Sequence, residues 1–405
     1  MTVATHYMPH LSDRIEQLQE SATIRMAKLS RELKAQGHDI IDLSLGEPDF
    51  DTPQHIKDAA KKALDDGFTK YTPVAGYTEL RRAISYKFKR DNNLDYSVDQ
   101  IVVSTGAKQS IANAVMCTVN PGDEVLLPAP YWVSYAAIAQ LAGGVCREIP
   151  TNIESNFKIT AAQLESYITP RTRLLIYSSP CNPTGSVYTH KELREIAEVV
   201  KKHPRMYVIA DEIYEYINFT GEPHASLAGF SDVKEQVITV NGFSKGFAMT
   251  GWRLGYIGAP LHIAKACDKM QGQFTSGTCS IAQKAGEAAL LSDLTECRKM
   301  VDEFRKRRDK VYALLCEIPG LKVNLPDGAF YFFFDVSAYF GKSYKGEVLQ
   351  SPEDISLYLL NEAKVALVSG EAFGDRQCVR MSYATSEEKL TEACRRLKNA
   401  FALLT

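Results

Sequence analysis

The stretch Val237 to Gly258, VITVNGFSKGFAMTGWRLGYIG, holds the residues best suited to chemistry. Val237 to Val240 is apolar and β-branched and reads as a short buried strand. The chain breaks at Asn241-Gly242 and resumes, glycine-rich and strand-like, from Gly251 to Gly258. Lys245 lies between, flanked by Ser244 and Gly246. An amine held just past a buried strand among small and apolar neighbours loses hydration, which favours its neutral form. A neutral amine can attack a carbonyl and form a Schiff base. Ser244 and Arg253 offer a hydroxyl and a guanidinium fork, a donor set that suits a phosphate. A solvated surface charge is the competing reading of any lysine in a loop, so the rest of the chain must decide.

Other polar residues follow apolar runs in the same way. Ile101-Val-Val-Ser-Thr-Gly-Ala-Lys108 reads as strand, glycine, helix. A helix starting near Gly106 would aim the free N–H groups around Ala107 and Lys108 at an anion. Trp132 follows the strand 123–127, where either core packing or a ligand face suits it. Asn182 precedes Pro183 in PCNPTG, which holds it extended or in a turn. Asp211 closes the apolar run Tyr207 to Ala210, with Tyr214 three residues on. A buried carboxylate there needs a cationic partner or must take a proton. Metal ligation by Asp211-Glu212 is the rival, and no His or third carboxylate stands at a familiar spacing. No GxGxxG and no GxxxxGK[ST] occurs, against a dinucleotide or Walker-type site.

These residues need a frame. From about 100 to 260 strand, loop and helix alternate, as in a mostly parallel sheet flanked by helices, and every polar residue named falls just past a strand end. Residues 11 to 36 read helical, stopped by Gly37, and Ile40 to Leu45 reads as a strand. Helices are expected at 54–66, 79–91, 192–202, from about 285 to 317, and at 352–364 and 386–404. Strands are expected at 328–336, 366–369 and from Val379, the last carrying Arg380. The expectation is an α/β chain with three parts: an N-terminal segment 1–50 packing with the small domain, a large domain 51–300 and a small α+β domain 301–405.

The 405 residues carry a net charge of -2, so no strong field steers nucleic acid or anionic membrane to the chain. Nine cysteines without CxxC or Cys/His spacing argue for reduced thiols and a cytoplasmic setting. The N-terminus lacks an apolar signal core, and no run approaches the ~20 residues that span a bilayer.

One cofactor asks for all of these groups: pyridoxal 5'-phosphate, whose ring takes up the electrons left when a substrate Cα loses a proton. Asp211 suits the ring nitrogen, Asn182 and Tyr214 the ring oxygen, and Trp132 the ring face. Gly106, Ala107, Lys108, Ser244 and Arg253 suit the phosphate. Arg380 offers a planar fork for a substrate carboxylate.

The chain resembles the class I aminotransferases of pyridoxal-phosphate fold type I, in particular the aspartate aminotransferases. The resemblance rests on SLGEPDF, KYTPVAGY, STGAKQ, PYWVSY, NPTG, DEIY, NGFSKGFAMTGWRLGY and VRMSYATS, spread from residue 44 to 386. It implies a seven-stranded sheet and Lys245 as the residue bonded to the cofactor and moving the Cα proton. It also implies ping-pong transfer from L-aspartate to 2-oxoglutarate, and a homodimer with shared sites. Tyr71 would then reach the partner chain's phosphate, and Gly46 and Arg380 would contact the α-carboxylate, with Trp132 and Asn182 near the substrate. No Arg lies between Ala266 and Gln283, where some aspartate aminotransferases draw one from the partner. The chain is similar instead to the subgroup with Lys in STGAKQ and Thr in an N-terminal SAT. That gives Lys108 and Thr23 as candidates for the distal carboxylate, against a phosphate-side cation and a helix-surface residue. Members of that subgroup also use prephenate. Aromatic or alanine transamination, β-elimination, and a regulator that binds the cofactor are the rivals; the last would need a DNA-binding stretch absent here. Cys181, where Asn is usual, and Ser369, where Pro is common, depart from the pattern.

Overall fold

The computed structural model describes residues 11–18 and 20–405. Its centre is a seven-stranded sheet. In chain order the strands are β1 (Ile101–Ser104), β2 (Glu124–Ala129), β3 (Val145–Pro150), β4 (Thr172–Ser178), β5 (Tyr207–Asp211), β6 (Val237–Gly242) and β7 (Gly255–Gly258). Across the sheet the order is β1-β7-β6-β5-β4-β2-β3. β7 runs antiparallel to both neighbours and the remaining pairs are parallel.

The two-residue period of the strands sorts side chains between two cores. Ile101, Val103, Val208 and Ala210 join one cluster, under the helices Gln54–Asp65, Thr78–Asn92, His190–Lys202 and Ser280–Leu291. Val102, Ile209, Ile238 and Val240 join the other, under the helix α2 (Ala107–Thr118) and the helices Ser134–Leu141 and Leu261–Phe274. Burial on both faces is why these strands are near-continuously apolar.

A second unit surrounds a three-stranded antiparallel sheet of order β9-β10-β8, where β8 is Tyr331–Asp335, β9 is Val368–Ser369 and β10 is Cys378–Ser382. Phe330, Phe332, Phe333 and Phe334 are all fully buried in or beside β8. At roughly 2–3 kcal/mol for each buried Phe, this run anchors the unit. The helices Thr295–Cys316 and Glu387–Ala402 pack over it. Ile41–Asp42 pairs in parallel with Val365–Ala366, which ties the N-terminal segment to this unit.

Five readings change. The helix expected over 11–36 is two, Asp13–Glu16 and α1 (Ala22–Ala35), because Ser21 is extended at φ -59°, ψ 121°; residue 19 lies outside the described residues. The strand expected at 40–45 stops at Asp42, whose carboxylate accepts from the Ser44 N–H at 3.0 Å and hydroxyl at 2.6 Å. That local bond competes with a strand ladder. The stretch from Gly251 opens as a 3-10 turn, Thr250–Trp252, and Arg253 sits left-handed at φ 52°, so the strand starts only at Gly255. The helix expected from about 285 to 317 is two, Ser280–Leu291 and Thr295–Cys316, parted where Leu294 sits left-handed at φ 62°. The edge strand β3, with three of its six residues exposed and one buried, has no apolar run to announce it.

Candidate active site

A cavity of about 360 Å³ opens between the large sheet's strand ends and the smaller unit. Lys245, Asp211, Asn182, Tyr214, Trp132, Ser244, Arg253, Arg380, Lys108, Ala107, Gly46 and Thr23 all line it. The parallel arrangement explains the convergence: β2, β4, β5 and β6 point their C-terminal ends the same way, so the residues that follow them meet at one rim.

Lys245 follows β6 and its Nζ donates to the Gly46 carbonyl. The rings of Tyr214 and Phe330 lie 5.7 and 5.8 Å from the ammonium. Burial, with Arg380 and Arg253 nearby, outweighs Glu47 and Asp211 and pulls its pKa down to about 8. A substantial neutral fraction is therefore present near neutrality, as nucleophilic or base chemistry requires.

Asp211 ends β5, 5% exposed. Burial pushes its pKa up to about 6, against hydrogen bonds from the Tyr135 hydroxyl at 2.6 Å and the Ile213 N–H at 3.3 Å. Among the described residues no cation is bonded to it, so a protonated ring nitrogen would complete it.

α2 begins at Gly106, whose backbone stands at φ 85°, and no side chain caps the helix. A Cβ at Gly106 would lie 2.5 Å from Arg253 Nη2. Only glycine lets the guanidinium close on the helix start, and helix amides plus guanidinium form a concentrated anion cradle. Lys108 Nζ sits 4.9 Å over the Trp132 ring, and burial followed by Arg253 lowers its pKa. The neighbouring charge shows how much positive potential gathers here.

Arg380 stands on β10, 2% exposed. Its Nη1 donates to Asn182 Oδ1 at 3.0 Å, its Nη2 donates to the Ser44 carbonyl, and its Nε has no partner. Its guanidinium lies 4.7 Å from the Tyr331 ring and 4.9 Å from Phe373. A buried guanidinium facing only neutral acceptors is ready for a carboxylate.

The family is decided by comparison with known proteins. Residues 38–397 match the family model for aminotransferases of class I and II. The chain belongs to that family. It is 48% identical over 398 residues to a bifunctional aspartate aminotransferase and glutamate/aspartate-prephenate aminotransferase of Petunia hybrida, covering 97% of this chain and 83% of that one. It is 46% identical over 395 residues to a probable aspartate/prephenate aminotransferase of Rhizobium leguminosarum, covering 96% and 98%. The aspartate aminotransferase structure from Rhizobium meliloti superposes with a TM-score of 0.95 at 40% identity, covering 98% of this chain and all of that one. An aspartate aminotransferase from Thermus thermophilus with maleate gives 0.90 at 40% identity, covering 97% and 100%.

As a class I and II aminotransferase the chain is a pyridoxal-phosphate-dependent transaminase with the α/β fold of type I. Its cavity fits that cofactor on chemical grounds: an anion cradle at one end, a buried carboxylate at the other and a lysine of lowered pKa between.

Gly106 lies behind the cavity wall, against Arg253. Tyr71 lies outside the cavity of its own chain and is fully exposed. Sequence reasoning passed over Tyr135, which bonds Asp211, and Tyr331, whose hydroxyl lies 2.7 Å from that of Tyr214. A tyrosine on a helix and another in an aromatic strand read as core. Only their hydroxyls, which demand partners when buried, could have marked them. Glu47 and Thr250 also line the cavity, bonded to each other across it.

Proposed function

We propose that the chain transfers the amino group of L-aspartate to 2-oxoglutarate, giving oxaloacetate and L-glutamate, with the two substrates using the cavity in turn. The observation that carries the substrate class is the second cation. Arg380 and Lys108 both face the cavity, which also meets Thr23 on α1. Arg380 serves the α-carboxylate, beside Gly46, and Lys108 and Thr23 serve the distal one. The relatives named for aspartate support this reading.

When bound, pyridoxal phosphate supplies a carbon that carries the amino group and a ring that takes up the electron pair left at Cα. Lys245 Nζ holds the cofactor between turnovers and moves the proton at the substrate Cα. Asp211, oriented by Tyr135, holds the proton on the ring nitrogen. Tyr214 and Asn182 would supply donors to the ring oxygen, and Trp132 an apolar face for the ring. The start of α2 from Gly106 to Lys108, with Ser244 and Arg253, grips the phosphate. Residues 51–300 act as the larger domain, and 301–405 with 1–50, of which 1–10 and 19 lie outside the described residues, as a smaller one that closes over substrate. Two copies pair so that the exposed Tyr71 of each reaches the other's phosphate. The nine unbonded cysteines suit the cytoplasm.

Turnover with 2-oxoglutarate tests the substrate: aspartate should exceed alanine and phenylalanine, and Lys108→Ala should cost aspartate more than alanine. Equal losses would leave Lys108 a phosphate-side cation. A second reading, prephenate as amino acceptor, is favoured by the names of the relatives that carry both activities. Transfer from aspartate or glutamate to prephenate would establish it.

A further inference from the structure

A buried ionic cluster lies behind β5, on the opposite side from the cavity, and no step above uses it. Alternation along β5 sends Asp211 to the same side as Ile209 and sends Glu212 to the side of Ala210. Glu212 is 1% exposed. Its Oε1 accepts from the Ser226 hydroxyl at 2.6 Å, and its Oε2 lies 3.3 Å from His224 Nε2. The His224 side chain is 6% exposed; the 3.3 Å approach is a charge contact, since neither ring nitrogen nor Glu212 Oε2 has a hydrogen-bond partner among the described residues. Next to this pair, Glu215 accepts from Asn92 Nδ2 at 2.7 Å and is ion-paired with the fully buried Lys87. Lys87 also donates to Asn92 Oδ1 at 2.7 Å.

The charges do not balance unless the imidazole is protonated. Two buried carboxylates, Glu212 and Glu215, face one ammonium, Lys87. An uncompensated carboxylate in such a site is costly, and a second cation removes the cost. The surroundings favour that proton: burial and Lys87 oppose it, while Glu212 and Glu215 outweigh them and raise the His224 pKa. The consequence reaches the cavity, because the Glu212 charge is among the groups that make Asp211 harder to ionise.

We propose that His224 is a positioning residue acting through Glu212: as an imidazolium it neutralises the carboxylate adjacent to Asp211 and so keeps Asp211 charged for the cofactor's ring nitrogen. This rests on the proposed placement of that nitrogen at Asp211. Glu212, Glu215 and His224 also lie close enough together, within 4.8 Å, to hold a metal ion. Lys87 already supplies the cation at Glu215, and an imidazolium supplies it at Glu212.

The test is a cycle of His224→Gln, Glu212→Gln and the double variant. It is read by the dissociation constant of pyridoxal phosphate from each apoprotein, with thermal melting in parallel. H224Q strands a bare Glu212 charge and, read at pH 5, where Asp211 must lose its proton on binding, should weaken cofactor binding about tenfold, equivalent to about one pKa unit at Asp211. The double variant removes that charge and should bind within about threefold of wild type, even if its melting temperature stays low. A merely structural histidine would give a double variant no better than H224Q, which overturns the proposal. So would unchanged binding in H224Q, or stoichiometric zinc in the purified wild type that H224Q loses. Wild-type apoprotein that binds no pyridoxal phosphate would instead overturn the placement on which the inference rests.

Discussion

Burial moves Lys245 and Asp211 toward neutrality, the lysine down to about 8 and the aspartate up to about 6. Each shift is also a statement about stability. Between about pH 8 and 10.5 the unfolded chain binds the Lys245 proton and the folded chain does not, so this group makes the apoprotein more stable as pH rises through that window. Between about pH 4 and 6 the folded chain binds the Asp211 proton and the unfolded chain does not, so Asp211 makes it less stable as pH rises there. Asp211→Asn should therefore stabilise the apoprotein by about 3 kcal/mol above pH 6 and by little near pH 4, while weakening cofactor retention. Denaturant melts at the two pH values check this; a gain independent of pH would contradict it. Tyr135→Phe removes the hydroxyl that favours the Asp211 carboxylate. It should raise the Asp211 pKa further and weaken pyridoxal phosphate binding by about 1 kcal/mol. Equal binding by the two apoproteins would show that the bond does not serve the ring nitrogen.

The elements that position these groups differ in how plainly the chain announces them. Strands buried on both faces leave apolar runs, which is why β1, β4, β5 and β6 were legible from Ile101, Arg173, Tyr207 and Val237 onward. The polar residues just past them were legible for the same reason, since each stands out against the run before it. Edge strand β3 was not, because half-exposed residues need no apolar pattern. Ile41–Asp42 was overdrawn because a side-chain bond from Ser44, invisible in any periodicity, ends it. Tyr135 and Tyr331 were missed because only tertiary contact separates a core tyrosine from one that orients a carboxylate or a phenol. The start of α2 depends on one backbone angle. Gly106→Ala would force a side chain into φ 85° and against Arg253. It should cost about 1–2 kcal/mol of stability and a larger share of cofactor affinity. Calorimetry of apo and cofactor-loaded protein checks it, and an undiminished cofactor-induced rise in melting temperature would show that the cradle does not hold the phosphate.

Two of the cations that line the cavity stand on different parts, Arg380 on β10 of the smaller unit and Lys108 on α2 of the larger. A dicarboxylic acid touching both would draw the units together. The exposed Tyr71 and Phe274, 100% and 67% accessible, fit a surface covered by a second copy. Sedimentation should accordingly give twice the 45.1 kDa chain mass; a monomer active at high dilution would contradict the shared site. In the proposed site Lys245 and Asp211 hold pyridoxal phosphate for amino transfer from a dicarboxylic amino acid. The visible absorption spectrum of the purified protein, taken before and after adding aspartate alone, tests it most directly. A yellow protein that bleaches with aspartate and recovers its colour with 2-oxoglutarate is the expected result, with Lys245→Ala folded but without turnover. A colourless protein that pyridoxal phosphate cannot reconstitute would contradict the account at Lys245, and a yellow protein indifferent to aspartate would contradict its substrate.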